Sequence, residues 1–210
     1  MGNLETIVKE RRSAMKFRPE VTISEEELEE IFNLVKFAPS AFNLQHTHYL
    51  VVNDPDRIKA LYEATDQQYK ILTASAVIVV LGDQQAYKNA APIHEGLLHL
   101  GVIDQQEFDM TVESVHAFYE KGGERFMREE AIRNSNLSAM LFMLIAKDKG
   151  WDTCPMNSFN EAALKEALNI PDKYVPSLLI SLGKEDTSKQ RPRGYRKPVA
   201  EFVSYNTLQG

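Results

Sequence analysis

The segment Ala139-Met140-Leu141-Phe142-Met143-Leu144-Ile145-Ala146 is the longest uninterrupted apolar stretch of the chain. It lies in a pattern that predicts a helix from Glu124 to Lys149, ended by Gly150 at a position where glycine often terminates helices. Because the stretch is apolar on every side, we expect this helix to be central rather than superficial. It is far shorter than the roughly 20 residues that span a bilayer, so it indicates a core helix.

Helices and strands alternate along the rest of the chain. Ala76–Leu81 is continuously apolar and predicts a strand buried on both faces. No glycine-rich phosphate loop follows a predicted strand, which argues against a Rossmann-type dinucleotide domain. Two further strands are predicted at Thr47–Asn53 and Val175–Leu182, and further helices at Leu4–Arg12, Ser24–Ala38, within Arg57–Thr73, and at Glu161–Leu168.

The length of 210 residues suits one domain, which we place at 1–210. Residues 84–123 are the least regular region, broken at Gly122-Gly123. They predict short helices over the core, forming a lid or substrate-pocket insertion. Residues 184–210 are basic and interrupted by prolines, so we interpret them as a C-terminal extension.

Composition excludes several classes of function. The net charge of −6 argues against nucleic acid as a partner, because no general basic field exists to displace counterions. The single cysteine, Cys154, excludes an intrachain disulfide and suits a reducing cytoplasm. His46 and His48 alternate on one strand, but two histidines without a third ligand do not predict a metal site. We therefore expect a cytoplasmic protein without a metal or a membrane anchor.

Basic residues gather at the two ends of this acidic chain. One cluster lies at 9–18 and the other at 189–197. Two separated clusters indicate either solvated loops or one anion site assembled from both ends. The residues are Lys9, Arg11, Arg12, Lys16 and Arg18 in the first cluster, and Lys189, Arg191, Arg193, Arg196 and Lys197 in the second.

Three motifs occur in a characteristic order. Arg11-Arg12-Ser13 lies near the start, Pro39-Ser40-Ala41-Phe42-Asn43-Leu44-Gln45 lies between a helix and a strand, and Arg196-Lys197-Pro198 comes late. Together they resemble the nitroreductase family of FMN-dependent NAD(P)H oxidoreductases. The resemblance implies an α+β fold with a central mixed sheet flanked by helices. It also implies an intertwined homodimer in which the C-terminal extensions are exchanged between subunits.

The resemblance also implies a set of FMN-binding residues. Arginines suit the phosphate through charge-assisted hydrogen bonds, and side-chain amides suit the ring edges. Asn43 and its loop would reach the flavin of the other subunit. Gln67 occupies the family's asparagine position, although Gln68 could take that role. The implied cofactor residues are Arg11, Arg12, Ser13, Pro39, Ser40, Ala41, Asn43, Gln67, Asn157, Ser158, Arg193 and Arg196; the implied pocket lining is Phe42, Tyr69, Phe108 and Phe118.

Two positions depart from the family pattern. Relatives carry glycine before the phenylalanine of the loop near flavin N5, whereas this chain has Ser158. Relatives often have a cation where this chain has Met15, beside the pyrimidine edge of the flavin. A cation there stabilises reduced flavin, so its absence predicts a lower reduction potential unless Lys16 or another cation replaces it.

The function implied by the resemblance is hydride transfer from NADH or NADPH, through flavin N5, to a small electron acceptor. Nitroaromatics and quinones are the expected acceptors, and the kinetics should be ping-pong. No side chain needs to act as acid or base, because the cofactor carries the chemistry. The alternatives are another flavin-dependent oxidation or dehalogenation, and a non-catalytic protein that stores FMN or senses redox state.

Overall fold

A four-stranded antiparallel sheet forms the centre of the protein in a computed structural model that describes residues 3–190 and 192–208. The strand order is β1-β2-β4-β3. An isolated parallel bridge between Ser13 and Thr153 extends the sheet beyond its β3 edge. The strands are β1 (Thr47–Val52), β2 (Ala76–Asp83), β3 (Asp152–Met156) and β4 (Tyr174–Gly183).

Helices cover both faces of this sheet. None of the helices in the described part of the chain is long and apolar enough to cross a membrane. Short 3-10 turns at Ala41–Asn43, Ala86–Asn89, Thr187–Lys189 and Val199–Glu201 complete the regular structure. The α-helices are α1 (Leu4–Glu10), α2 (Glu25–Val35), α3 (Pro55–Ala64), α4 (Lys70–Thr73), α5 (Ala90–His99), α6 (Gln105–Asp148) and α7 (Glu161–Leu168).

Strand β2 is buried on both faces, as its apolar run predicts. Ile78 and Val80 pack into a core with α2 and α6, whereas Val77 and Val79 pack into a second core with α3 and α7. This alternation follows from the two-residue period of a strand. The predicted helix Glu161–Leu168 matches α7.

Strand β3 was not predicted, because Pro155 made the segment look like a loop. Proline removes a backbone donor but is tolerated in an edge strand. Strand β3 pairs only with β4 among the named strands, so it lies at such an edge.

Helix α6 starts earlier than predicted. It runs over 44 residues from Gln105, with Asp104 and Glu107 forming a capping box at its start. The expected break at Gly122-Gly123 exists, since Gly123 has φ 73° and ψ −179°, but helix continues on both sides of it. Residues 84–123 therefore hold α5 and the first part of α6, which pack as a helical hairpin around Val115 and Tyr119.

The apolar stretch of α6 is central on one side only. Phe142 and Ala146 face the sheet and are buried. Met140 and Leu137 remain 43% and 53% exposed in the single chain. The expected central position therefore holds for the side that faces the sheet, and one apolar face of α6 stays open in the single chain.

Candidate flavin-binding site

The loop after α2 has a strained backbone. Phe42, Asn43 and Gln45 adopt left-handed φ angles of 50°, 55° and 52°. Such conformations cost about 1–3 kcal/mol for residues other than glycine and persist only where surrounding structure imposes them. Ser40 closes the loop from within, because its Oγ accepts a hydrogen bond of 2.9 Å from the Gln45 amide. Gln45 also donates through Nε2 to the Asn43 carbonyl, at 3.3 Å.

Helix α6 holds this loop at both ends. The Oδ1 of buried Asn134 accepts a 2.8 Å hydrogen bond from the Ala41 amide. At the other end, His46 Nε2 lies 3.0 Å from the Tyr119 hydroxyl. His46 is 1% exposed, and burial lowers its pKa. Burial also raises the pKa of Tyr119 to about 12, so both groups remain neutral near pH 7.

Two exposed aromatic rings lie beside the loop. Phe42 and Phe118 are 45% and 49% exposed, and their ring centroids are 5.5 Å apart in an edge-to-face arrangement. Together the two rings expose aromatic surface to solvent. The other two predicted pocket residues lie elsewhere: Phe108 is in the first turn of α6, and Tyr69 is near Lys16.

A cluster of arginines forms at the β3 edge of the sheet. The Arg193 guanidinium donates to the carbonyls of Lys9 and Arg11, the latter at 3.0 Å. Burial lowers the pKa of Arg11, and the nearby charges of Arg193 and Arg196 lower it further. The structure therefore brings Arg11 of the first basic cluster close to Arg193 and Arg196 of the second. Arg191 and the Lys189 side chain lie outside the described residues.

This arginine cluster has the donors that an anion requires. The Nη1 atom of Arg11 is buried and has no hydrogen-bond partner in the described residues. Thr153 Oγ1 is similarly buried and unpartnered, on the residue that bridges to Ser13. Arg196 donates to the Gly194 and Tyr195 carbonyls, at 3.2 and 2.9 Å. A dianionic phosphate would supply both the acceptors and the compensating charge.

A cavity of about 330 Å³ adjoins the arginine cluster, and Met15 lines it beside Lys16. The Lys16 ammonium lies 2.9 Å from the Asp186 carboxylate. That hydrogen bond raises the pKa of Lys16, while hydrogen bonds from Ser188 and Lys16 lower the pKa of Asp186. Lys16 is thus paired with a carboxylate. The full lining is Arg12, Met15, Lys16, Glu185, Asp186, Ser188 and Gln190.

The turn at 66–68 contacts the loop that follows β3. Gln68 Nε2 donates to the Ser158 carbonyl at 3.0 Å, and Ser158 Oγ donates to Asp66 Oδ2 at 2.8 Å. Gln68 thus has a structural role, whereas exposed Gln67 has a left-handed φ of 53°. Ser158 is not among the described residues with positive φ, so it does not adopt the conformation that favours glycine. Asn157 precedes it and is exposed.

Two other groups of predicted residues lie at opposite corners of the sheet. The loop with Asn43 precedes β1, where Thr47 pairs with Gly82. At the other corner, Ser13 bridges to Thr153 on β3. Thr153 pairs with Leu182 on β4, and Leu182 pairs with Ala76 at the start of β2. The corners are three strand spacings apart, about 14 Å, and about 20 Å apart along the strands. One chain therefore does not bring all the predicted flavin residues together.

Three contacts of this region were not predicted: those made by Asn134, Tyr119 and Thr153. Asn134 has no distinct signal, because α6 also buries the polar residues Ser135 and Ser138 beside it. Tyr119 and Thr153 have no local signal, since their partners are distant in the chain.

The chain belongs to the nitroreductase family, whose family model matches residues 8–184. It is 54% identical to MhqN of Bacillus subtilis (strain 168), which is named provisionally as an NAD(P)H nitroreductase; the match covers 98% of this chain and 100% of that protein. The crystal structure of ydfN from Bacillus subtilis, provisionally a nitroreductase, has a TM-score of 0.94 at 53% identity, covering 96% of this chain and 97% of that one.

A third comparison includes the cofactor. A protein from Exiguobacterium sibiricum 255-15, described provisionally as a nitroreductase and crystallised in complex with FMN, has a TM-score of 0.89 at 29% identity; 98% of each chain is covered. The predicted nitroreductase-like α+β fold is confirmed. Its four strands are antiparallel, and the described parallel component is the Ser13–Thr153 bridge.

Proposed function

We propose that this protein is an FMN-dependent NAD(P)H oxidoreductase that reduces flat, apolar acceptors such as quinones or nitroaromatics. The observation that carries the proposal is the convergence of Arg11, Arg193 and Arg196, with a buried Arg11 nitrogen that has no acceptor among residues 3–190 and 192–208. Family membership and the FMN complex of a relative support the same reading.

The residues of the arginine cluster would bind the FMN phosphate. When bound, FMN supplies hydride acceptance from NAD(P)H and two-electron transfer to the acceptor. In this proposal, Ser13 would bind the ribityl chain and Gln67 the ring edge. Phe42 and Phe118 would hold an aromatic acceptor, and NAD(P)H and the acceptor would use the same place in turn, in a ping-pong sequence.

The site is completed, in this proposal, by a second copy of the chain. The loop with Asn43 and the arginine cluster are at opposite corners of one sheet, so two chains are needed to place both against one flavin. Strand β1 is an edge strand, and the open α6 face around Leu137 and Met140 offers an apolar contact. Residues 192–208 are exposed throughout, and their uncovered apolar side chains suit exchange onto a partner: Tyr195, Val199, Phe202, Val203, Tyr205 and Leu208.

The test is anaerobic spectroscopy of the purified protein. Flavin absorbance that bleaches on addition of NADH or NADPH, and returns on addition of a quinone, is the expected result and identifies the donor. Flavin absorbance that persists with both donors would favour storage or sensing of FMN. A colourless protein that does not take up added FMN would overturn the proposal.

A further inference from the structure

Asn134 connects the strained loop to the central helix. Its Oδ1 accepts the Ala41 amide hydrogen at 2.8 Å, across 93 residues of sequence. Its Nδ2 donates to the Glu130 carbonyl at 2.8 Å, which fixes the side chain against its own helix. Asn134 is only 4% exposed. A neutral side chain with both its acceptor and its donor occupied is thus buried beneath the loop.

The loop needs such a contact to keep its conformation. Phe42 and Asn43 follow Ala41 directly, and both have left-handed φ angles. If Ala41 lost its acceptor, a half-buried amide would be unpaired and the strain in the next two residues would favour a different backbone. Asn43 would then lose its defined position.

We propose that Asn134 is a positioning residue for FMN binding, which acts by fixing the Ala41 backbone and through it Asn43. It does not touch the cofactor in this proposal. The inference rests on the proposed function, because it assigns a purpose to the loop only if the protein binds FMN. It adds a residue of α6 to a site otherwise built from loops and chain ends.

The chain offers a matched control for this contact. Asn136 lies on the same helix, and its Nδ2 donates to the Ile132 carbonyl at 2.9 Å, four residues back, as Asn134 does to Glu130. No hydrogen bond joins Asn136 to the loop in the described residues. The variants N134A and N136A therefore each lose one bond to a helix carbonyl, while N134A also loses the loop contact and a 3.4 Å contact of its Nδ2 with the Glu130 carboxylate.

The experiment is an FMN titration, followed by quenching of flavin fluorescence, on full-length wild type and both variants. We expect N134A to weaken FMN binding about fivefold to tenfold, the usual effect of one buried hydrogen bond, and N136A to change it less than about twofold. We also expect N134A alone to alter the shape of the visible absorbance band of bound FMN. Thermal unfolding of both variants checks that each is folded.

A double-mutant cycle with N43A tests the route of the effect. If Asn134 acts through the loop, N134A should have little further effect in the N43A background, because interacting residues are not additive. Equal affinities for N134A and N136A, or additive effects of N134A and N43A, would overturn the inference. If wild type itself does not bind FMN, the proposed function fails instead.

If N134A does not fold, N134S provides the second variant. A serine hydroxyl can donate to the carbonyl four residues back in a helix, as Asn134 does to Glu130, but it is shorter and withdraws the acceptor from the Ala41 amide. FMN binding weakened about fivefold or more in folded N134S would support the inference, and affinity equal to that of N136A would overturn it.

Discussion

The Asn43 loop and the arginine cluster are stabilised in opposite ways. The loop is strained but closed, since Ser40, Asn134 and Tyr119 accept or share the hydrogen bonds that hold it. The arginine cluster has little backbone strain, yet it gathers like charges and leaves Arg11 Nη1 without an acceptor. The comparison indicates that the loop is organised before any ligand arrives, whereas the cluster is completed by an anion.

Removing the C-terminal segment should have the largest effect on this comparison. A chain ending at Gln190 loses Arg193, Arg196 and the apolar residues proposed to cover a partner. We expect FMN binding to weaken more than about 100-fold, since each charge-assisted bond contributes about 1.5–3 kcal/mol. Sedimentation velocity should show monomers in place of dimers.

The full-length double variant R193A/R196A distinguishes the loss of the arginine charges from the loss of the apolar contacts with a partner. It should lose FMN affinity to a similar degree yet sediment as a dimer. A shortened chain that binds FMN within threefold of the full-length chain would show that the cluster is not the phosphate site.

Replacing Arg11 alone should have the next largest effect. R11A removes the buried guanidinium nitrogen that lacks an acceptor, so we expect FMN affinity to fall about tenfold to 100-fold. R57A, which changes an exposed arginine on α3, is the control and should bind FMN as wild type does. Fluorescence titration measures both. If R11A increased stability without lowering FMN affinity, the charges would be a structural defect with no ligand.

A smaller effect is expected on the loop side. Y119F keeps the ring but removes the hydroxyl that pairs with His46, leaving a buried ring nitrogen without its partner. We expect the free energy of unfolding to fall by about 1–2 kcal/mol, measured by urea denaturation. Y87F is the control, because the Tyr87 hydroxyl makes no hydrogen bond within the described residues although its ring stacks on Tyr119. Equal losses in the two variants would contradict the role given to the His46 contact.

The smallest expected effect is a pH dependence of stability. Burial lowers the pKa of His46 below its ordinary 6.5, so the unfolded chain binds the proton more readily than the folded one. Glu130 and Asp83 oppose this shift without reversing it. The free energy of unfolding should therefore fall as pH decreases from about 6.5 toward the folded-state pKa, by at most about 1.4 kcal/mol per pH unit.

The measurement is urea denaturation at pH 7.5 and pH 5.5. H46Q should lose this component of the pH dependence, whereas H48Q, which changes an exposed histidine two residues away, should keep it. The same pH dependence in H46Q and wild type would exclude His46 as its source.

The sequence predicted what depends on local pattern. The run Ala76–Leu81 indicated a strand buried on both faces, and Glu161–Leu168 indicated a helix, because each pattern is visible in a few consecutive residues. Strand β3 was missed because proline is tolerated only in an edge strand, and the sequence does not reveal that Pro155 lies in one. The predicted helix began only after Gly122-Gly123, at Glu124. In the structure, α6 is also helical before this break, where Val115 and Tyr119 pack in a core of their own.

The residues of the candidate site likewise divide into those that the sequence predicted and those that it did not. Arg11, Arg193 and Arg196 were predicted to form one anion site from their charge and from the family resemblance, and the structure brings them together. Their place in FMN binding stays a prediction, as does that of Asn43. Asn134 and Tyr119 were missed because their contacts with the loop span 93 and 73 residues, and no motif encodes such a pairing.

The break in α6 at Gly123 has a consequence for how acceptor range can diversify. Residues before it form a hairpin that contacts Leu44 and His46 and, just after the break, Phe126 and Met127, whereas the residues around Phe142 belong to the main core. A chain can therefore exchange or lengthen this hairpin, with Phe118 on it, and keep the sheet and the arginine cluster intact. On the proposed function, changes in this hairpin would alter the choice of acceptor while the sheet and the arginine cluster stay as they are.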